Sequence, residues 1–305
     1  MIRSLIILLI MGATSAVLKY KLNNGRDIPA IALGSYLGFD EQGIVRSSNK
    51  QLRDVVLRAI ELGYRHFDSA SLYETEPEIG EAIRMKIEEG EISREDAFVT
   101  TKEDYSYNDV DYMETWKGME DAQNLGLTKA IGVSNFNQTQ LIRLLDEGSV
   151  RPAVLQIENH PQITEQDLVN FAQKEGITVM GYSPLGSLVP RYGMQLPGPK
   201  MNDPILVEIA RKYGKTVPQV VLRWLVDRKL VPVTKTVKVK RLKENIEIFD
   251  FSLTAEEIAR INKFDEHKRF TIPSFWQDNP NYPFEKIENP VQNPFVAIKS
   301  KNLTN

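Results

Sequence analysis

Apolar positions recur along the chain in two alternating rhythms. Leu52, Val55, Val56, Ala59 and Ile60 fall at i, i+3, i+4, i+7 and i+8, the spacing of one buried helical face, and Gly63 closes that helix as a C-cap. Ile79, Ala82, Ile83 and Ile87 repeat the rhythm in a helix predicted near 76–89. Between such segments lie apolar runs of strand length at 30–34, 66–70, 97–102, 130–134, 153–158, 178–182 and 230–235. Further helices are predicted over 112–125, 138–146, 203–213, 217–228, 239–248 and 255–264. Another opens at Thr164, with Asp167 three residues on; Thr254 and Glu257 form a capping box for the last. Asn23-Asn24-Gly25 predicts a hairpin turn between 18–22 and 28–29.

Strands that alternate with helices predict an α/β fold built on a parallel sheet. The candidate strands number seven, ending near Gly34, Ala70, Lys102, Ser134, Glu158, Tyr182 and Lys235. A closed (β/α)8 TIM-type barrel has eight. The expectation is therefore such a barrel lacking about one helix–strand unit, with the N-terminal β-hairpin plugging one end.

Composition narrows the possibilities. A chain of 305 residues, 42% hydrophobic, can bury a large core, and without internal repeats or linkers a single domain over 17–289 is expected. Formal net charge is −3, which gives nucleic acid no electrostatic reason to bind. The chain has no cysteine and only three histidines, His66, His160 and His267, so thiol chemistry is excluded and no metal site is expected. Arg3, the short apolar run 5–11 and small residues to Ala16 have the layout of a signal peptide. The expectation is a secreted protein, free of the membrane after cleavage, with a cytoplasmic protein as the alternative. Sequons at Asn137 and Asn302 fit export, and the polar segment 290–305 is expected to be a mobile tail.

Candidate chemistry gathers at strand ends. Asp68 ends the second strand, Tyr73 follows five residues later, and Lys102 closes the third strand. A phenol, with an ordinary pKa of about 10, is a weak acid at neutral pH, and a neighbouring ammonium eases loss of its proton. Ser134, Asn135 and Gln156 are polar groups able to hold a carboxamide, and Tyr182 is an aromatic that could stack on a nicotinamide. Ser183, Leu185 and Ser187 lie on a small-residue turn suited to a pyrophosphate. In TKTVKVKRLKEN (234–245), Lys235 and Arg241 are cations at a strand-to-helix junction, with Thr236 between them and Glu244 and Asn245 one turn on. No G-x-G-x-x-G is present, so a Rossmann site has no support.

The string GYRHFDSASLYETEPEIGEAI (63–83) closely resembles the first signature of the aldo-keto reductases, and the resemblance runs from about Leu18 to about Ile287. It implies Tyr73 as proton donor to a carbonyl, assisted by Asp68 and Lys102, and NADP(H) as cofactor. The nicotinamide, pyrophosphate and adenosine-phosphate contacts are implied at the residues just named. The substrate is implied to be a small carbonyl compound, taken by a monomer. A C-terminal stretch with Phe270, Phe275, Trp276, Tyr282 and Phe284 resembles the family's substrate-enclosing loop. DYMETWKGM (111–119) and FDFSLTAEEI (249–258) are most similar to the secreted 3-dehydroecdysone reductase branch. One departure stands out: family members carry a further helix and strand, ending in a catalytic His-Trp-Pro, where this chain has only residues 103–111. A βα unit needs ~30 residues, and none of the three histidines is placed to substitute. A catalytically impaired NADP(H)-binding protein is therefore the alternative reading.

Overall fold

The computed structural model of the chain describes residues 17–38, 50–102, 110–189 and 196–290. The signal-peptide expectation for 1–16, the sequon at Asn302 and nearly all of the expected tail lie outside the described residues.

The chain opens with the antiparallel hairpin β1 (Lys19–Lys21) and β2 (Asp27–Pro29). Gly25 takes the left-handed φ of +81° that its turn requires. Strands and helices then alternate: β3 (Ala32–Gly34), α1 (Lys50–Glu61), β4 (His66–Asp68), α2 (Glu76–Glu88), β5 (Phe98–Thr100) and α3 (Tyr112–Asn124). There follow β6 (Gly132–Ser134), α4 (Gln138–Glu147), β7 (Val154–Glu158), α5 (Gln166–Lys174) and β8 (Thr178–Tyr182). Two helices, α6 (Pro204–Tyr213) and α7 (Val217–Asp227), precede β9 (Leu230–Thr234), and α8 (Val239–Ile246) and α9 (Ala255–Asn262) complete the set.

Strands β3 to β9 form one parallel sheet in the order β5-β4-β3-β9-β8-β7-β6, so the seven expected strands are all present. Among the described residues β5 and β6 do not pair: the sheet is a curled, open half-barrel. Its curl follows from one contact. Strands β4 and β7 lie four steps apart, which in a flat sheet is ~19 Å at the usual spacing, yet Gln156 Nε2 reaches Asp68 Oδ2 at 2.8 Å.

Helices cover the convex face. Leu52, Val55, Val56, Ala59 and Ile60 of α1 pack with Ile79, Ala82 and Ile83 of α2 against Leu33 and Phe67. On the other flank Trp224 is fully buried among Leu206, Ile209 and Leu225, and its indole N–H donates to Asn262 Oδ1 at 2.8 Å. Inside the curl, Ala32, Met180, Val231 and Val233 pack with Leu22 and Ile28 of the hairpin. The hairpin is pinned there by Tyr20 Oη to Val226 O (2.9 Å) and Asn23 Nδ2 to Pro152 O (2.8 Å), and thus plugs one end. A Cβ on Gly132 would sit 2.6 Å from Val154 O, so only glycine lets β6 lie this close to β7.

Of two helix starts expected from capping residues, one is found and the other is not. Thr254 and Glu257 form the expected capping box on α9. Thr164 does not cap α5: its hydroxyl is bound to Asp265, and the helix begins one turn-residue later, with Glu165 at a left-handed φ of +44° as N-cap. A carboxylate on the loop after α9 outcompetes the local backbone for that hydroxyl. No helix among the described residues is long and apolar enough to cross a membrane.

Candidate active site

Register brings the polar strand ends to one rim. Gly34 lies beside Asp68, Asp68 beside Thr100, Ser134 beside Gln156, and Glu158 beside Tyr182. That is the C-terminal rim of a parallel sheet, where barrel enzymes place reacting groups.

Asp68 is the hub. Lys102 Nζ lies 3.1 Å from both carboxylate oxygens and donates also to Ser69 O at 3.1 Å. Thr100 Oγ1 donates to Asp68 Oδ2 at 2.7 Å and Gln156 Nε2 at 2.8 Å. The Asp68 side chain is 5% exposed and that of Lys102 18%. Such a pair survives desolvation only when its remaining hydrogen-bonding capacity is met, and here two side chains, Thr100 and Gln156, and one backbone carbonyl, that of Ser69, meet it.

Tyr73 rides on a single 3-10 turn, Ser71–Tyr73, tied to that pair through the backbone: Ser71 N donates to Lys102 O at 2.9 Å. Lys102 Nζ stands 5.9 Å from the centre of the Tyr73 ring, and Tyr36 packs against that ring, tilted by 44°, with ring centres 4.9 Å apart. Glu74, at a left-handed φ of +50°, ends the turn. Beneath it Ser35, Ser69 and Thr75 form a buried ring of hydroxyls at 2.7–3.2 Å, joining the loops after β3 and β4 to the start of α2. The sequence-predicted trio of Asp68, Tyr73 and Lys102 is thus brought together.

His66 lies under this cluster, fully buried, its Nδ1 3.3 Å from Pro29 O and its Nε2 3.4 Å from Thr100 Oγ1. Since a carbonyl only accepts, Nδ1 carries the proton. Burial, working against the attraction of Asp68, pushes the imidazole pKa down to about 4, so the ring is neutral.

Across the curl stand the carboxamide candidates. Ser134 Oγ and the Asn135 backbone N–H both donate to Gln156 O, at 3.1 and 2.8 Å. Asn135 holds a left-handed φ of +60°, tolerated by its short polar side chain, and its Oδ1 accepts from Tyr182 Oη at 3.1 Å. Ser183 is also left-handed at +54°, turning the chain back from the end of β8. Leu185 is half-buried, packed against both helical cores. Ser187 is buried, its hydroxyl donating to Pro199 O at 2.7 Å. Lys235 and Arg241 are exposed around the start of α8, which begins after Lys238 without a side-chain cap, while Thr236 Oγ1 accepts the Lys238 N–H at 3.1 Å. Glu244 pairs with Lys240 at 3.8 Å and Asn245 is buried.

Thr100, Tyr36 and the Ser35–Ser69–Thr75 ring escape a reading of the sequence. Thr100 had one available signal, its place two residues before Lys102 on the strand beside Asp68. Glu158 is also unforeseen: fully buried, it accepts from His160 Nε2 at 3.0 Å and from the Phe270 and Thr271 backbone N–H groups at 3.1 and 2.9 Å. With His160 stacked on Phe270 at 4.5 Å, it fastens the C-terminal stretch to β7. That stretch then walls a cavity of about 280 Å³ beside Asn135, Phe136 and Ile157, where Phe284 lies against the Arg269 guanidinium at 4.7 Å.

The sequence model of the Aldo/keto reductase family matches the chain in two pieces, residues 30–108 and 104–266. Aldo-keto reductase AKR2E4 of Bombyx mori is 40% identical over 302 aligned positions, covering 86% of this chain and 97% of that protein. Its crystal structure in complex with NADP superposes with a TM-score of 0.83 at 39% identity, covering 88% of this chain and 99% of that one. The silkworm AKR2E5 complexed with NADPH gives 0.84 at 40% identity, covering 91% and 97%.

Proposed function

The chain belongs to the aldo/keto reductase family, and on that premise we propose that it is an NADP(H)-dependent carbonyl reductase in which Tyr73 hands a proton to the carbonyl oxygen. The observation that carries this reading is the convergence of Tyr73, Lys102 and Asp68 on one rim, facing Ser134, Asn135, Gln156 and Tyr182 across the curl. Lys102 places a positive charge beside the phenol, and Asp68 holds Lys102 in place. The donor set fits the cofactor: amides and a hydroxyl suit a carboxamide, and Lys235 and Arg241 beside the uncapped start of α8 suit a phosphate. When bound, NADPH supplies the hydride that the carbonyl carbon receives. The C-terminal aromatics favour a bulky apolar carbonyl, and the likeness to the ecdysteroid reductase branch points to a ketosteroid. A monomer exported by its leader is the form in which we expect it to act.

A second reading has its own support. Strands β5 and β6 do not pair among the described residues, and the family match breaks in two around 104–108. The 302 positions aligned with AKR2E4 take in 86% of a 305-residue chain, about 262 residues, so roughly 40 have no counterpart here. That is the size of one βα unit. We infer an internal deletion after Lys102 that removes the second donor to the carbonyl oxygen. Loss of such a donor slows acyl-transfer enzymes roughly 10²–10³-fold, so this reductase is expected to be slow. NADPH titration by fluorescence followed by turnover of an aldehyde and a ketosteroid tests both readings. Turnover abolished by Tyr73→Phe supports the reductase; binding without turnover supports the impaired protein, and absence of binding overturns both.

A further inference from the structure

Three buried hydroxyls beneath the Tyr73 turn bond to one another in a closed ring. Thr75 Oγ1 donates to Ser35 Oγ at 2.7 Å, Ser35 Oγ donates to Ser69 Oγ at 3.2 Å, and Ser69 Oγ lies 3.0 Å from Thr75 Oγ1. A hydroxyl has one proton, so with the first two donors assigned Ser69 supplies the third bond. Taking away one member leaves a donor and an acceptor unmet where no bulk water reaches.

Each member stands within two residues of the proton-transfer cluster. Ser35 precedes Tyr36, whose ring packs against Tyr73. Ser69 follows Asp68, and its carbonyl accepts from Lys102 Nζ at 3.1 Å. Thr75 comes two residues after Tyr73, at the N-cap position of α2, where a threonine ordinarily satisfies a helix N–H. Here the hydroxyl caps nothing: the backbone is already right-handed, at φ −112° and ψ −1°, and no side-chain cap bond forms. The ring has it instead.

We propose that the Ser35–Ser69–Thr75 ring is a positioning device for proton transfer, in which Thr75 sets the Tyr73 turn against Lys102. The inference rests on the reductase reading above. Ser71 N ties the near end of the turn to Lys102 O, and Thr75 anchors the far end, so the phenol and the ammonium are referred to one rigid base. None of the three hydroxyls needs to touch substrate or cofactor for this; they act through the backbone.

Thr75→Val keeps the shape and removes the hydroxyl, and because Thr75 caps no helix, a lost cap cannot account for its effect. In single-turnover reduction of an aldehyde by the full chain with NADPH, this variant is expected to be slower by roughly tenfold or more, with the half-saturating aldehyde concentration and the NADPH Kd within about twofold of wild type. Thr75→Ser, which restores the hydroxyl, is expected to recover most of the rate. Hydrogen exchange gives a readout that needs no turnover. The Tyr73 and Glu74 amides donate to Ala70 O and Ser71 O at 2.9 and 3.1 Å. They are expected to exchange roughly tenfold faster in Thr75→Val but not in Thr75→Ser, while the amides of β9 keep their wild-type rates. If Thr75→Val does not fold, Ser69→Ala, which opens the ring at another member, replaces it in both measurements. Unchanged exchange at Tyr73 and Glu74, an unchanged rate of reduction, or a Thr75→Ser as slow as Thr75→Val overturns the proposal. A wild type that binds NADPH without turnover overturns the reductase reading, and the exchange rates then decide whether the ring holds the turn.

Discussion

Between pH 6.5 and 4, His66 imposes a slope on the folding free energy that can be worked from its surroundings. The ring is fully buried between Pro29 O and Thr100, with Phe98 edge-on at 4.9 Å, and its pKa falls to about 4 against an ordinary value of 6.5. Burial is the main cause; the nearby Asp68 carboxylate opposes it without reversing it. In the unfolded chain the imidazole takes up a proton as pH falls through 6.5, whereas the folded chain refuses it until about 4. Stability is therefore complete above pH 6.5 and is lost as pH falls through that window, at up to ~1.4 kcal/mol per pH unit. The total is about 3 kcal/mol, a large share of the ~5–15 kcal/mol by which a domain is usually stable. Urea unfolding at half-unit intervals from pH 7.5 to 4 measures it, for the wild type and for His66→Gln, which cannot charge. The variant is expected to lose that much less stability between the two ends. Parallel slopes in the two proteins, or a His66 ring seen by NMR to titrate near 6.5, would refute the reasoning.

Three further outcomes are expected. Tyr73→Phe keeps the ring against Tyr36 and removes only the hydroxyl, so turnover falls 10²-fold or more, the usual range for a lost general acid being ~10²–10⁴, while the NADPH dissociation constant measured by fluorescence stays within about twofold. Lys102→Met leaves the buried Asp68 carboxylate with Thr100 and Gln156 alone and costs about 3 kcal/mol in urea unfolding, much of it recovered when Asp68→Leu is added. Replacing Lys235 and Arg241 together by Met weakens NADPH binding at least tenfold and leaves NADH binding nearly unchanged; an equal loss for both cofactors excludes a 2′-phosphate site at the start of α8.

Much of the fold could be read one residue at a time, because a parallel sheet buried under helices writes its strands as apolar runs and its helices as a 3.6-residue rhythm. The seven strands and the order of elements follow from that alone. Strand ends were placed within a few residues: the third ends at Thr100 where Lys102 was expected. The trio of Asp68, Tyr73 and Lys102 was legible because each residue sits at or just past a strand end, and parallel register sends such ends to one rim. Gln156 was legible as polar, and its partner was not. Only curvature brings it to a carboxylate 88 positions away. Thr100 was hidden for another reason, since a threonine in a strand reads as ordinary β propensity. Thr164 misled for a third, because its competing acceptor, Asp265, lies 101 positions along the chain.

The open sheet has an uneven resistance to being pulled apart. Among the described residues strand β9 sits at its middle, its five residues buried and the strand flanked by β3 and β8, whereas β5 and β6 each have one neighbour and three residues. A closed cylinder has no such gradient, because every stave is braced by two others. Here amide protons should exchange first along the two free margins and last along the central rib, so that the molecule loosens like a fan from its outer blades. Lys102 stands just past one of those outer blades and Ser134 closes the other, so the part of the protein meant to grip a ligand is also the part that gives way soonest, and whatever bridges the two margins steadies both at once.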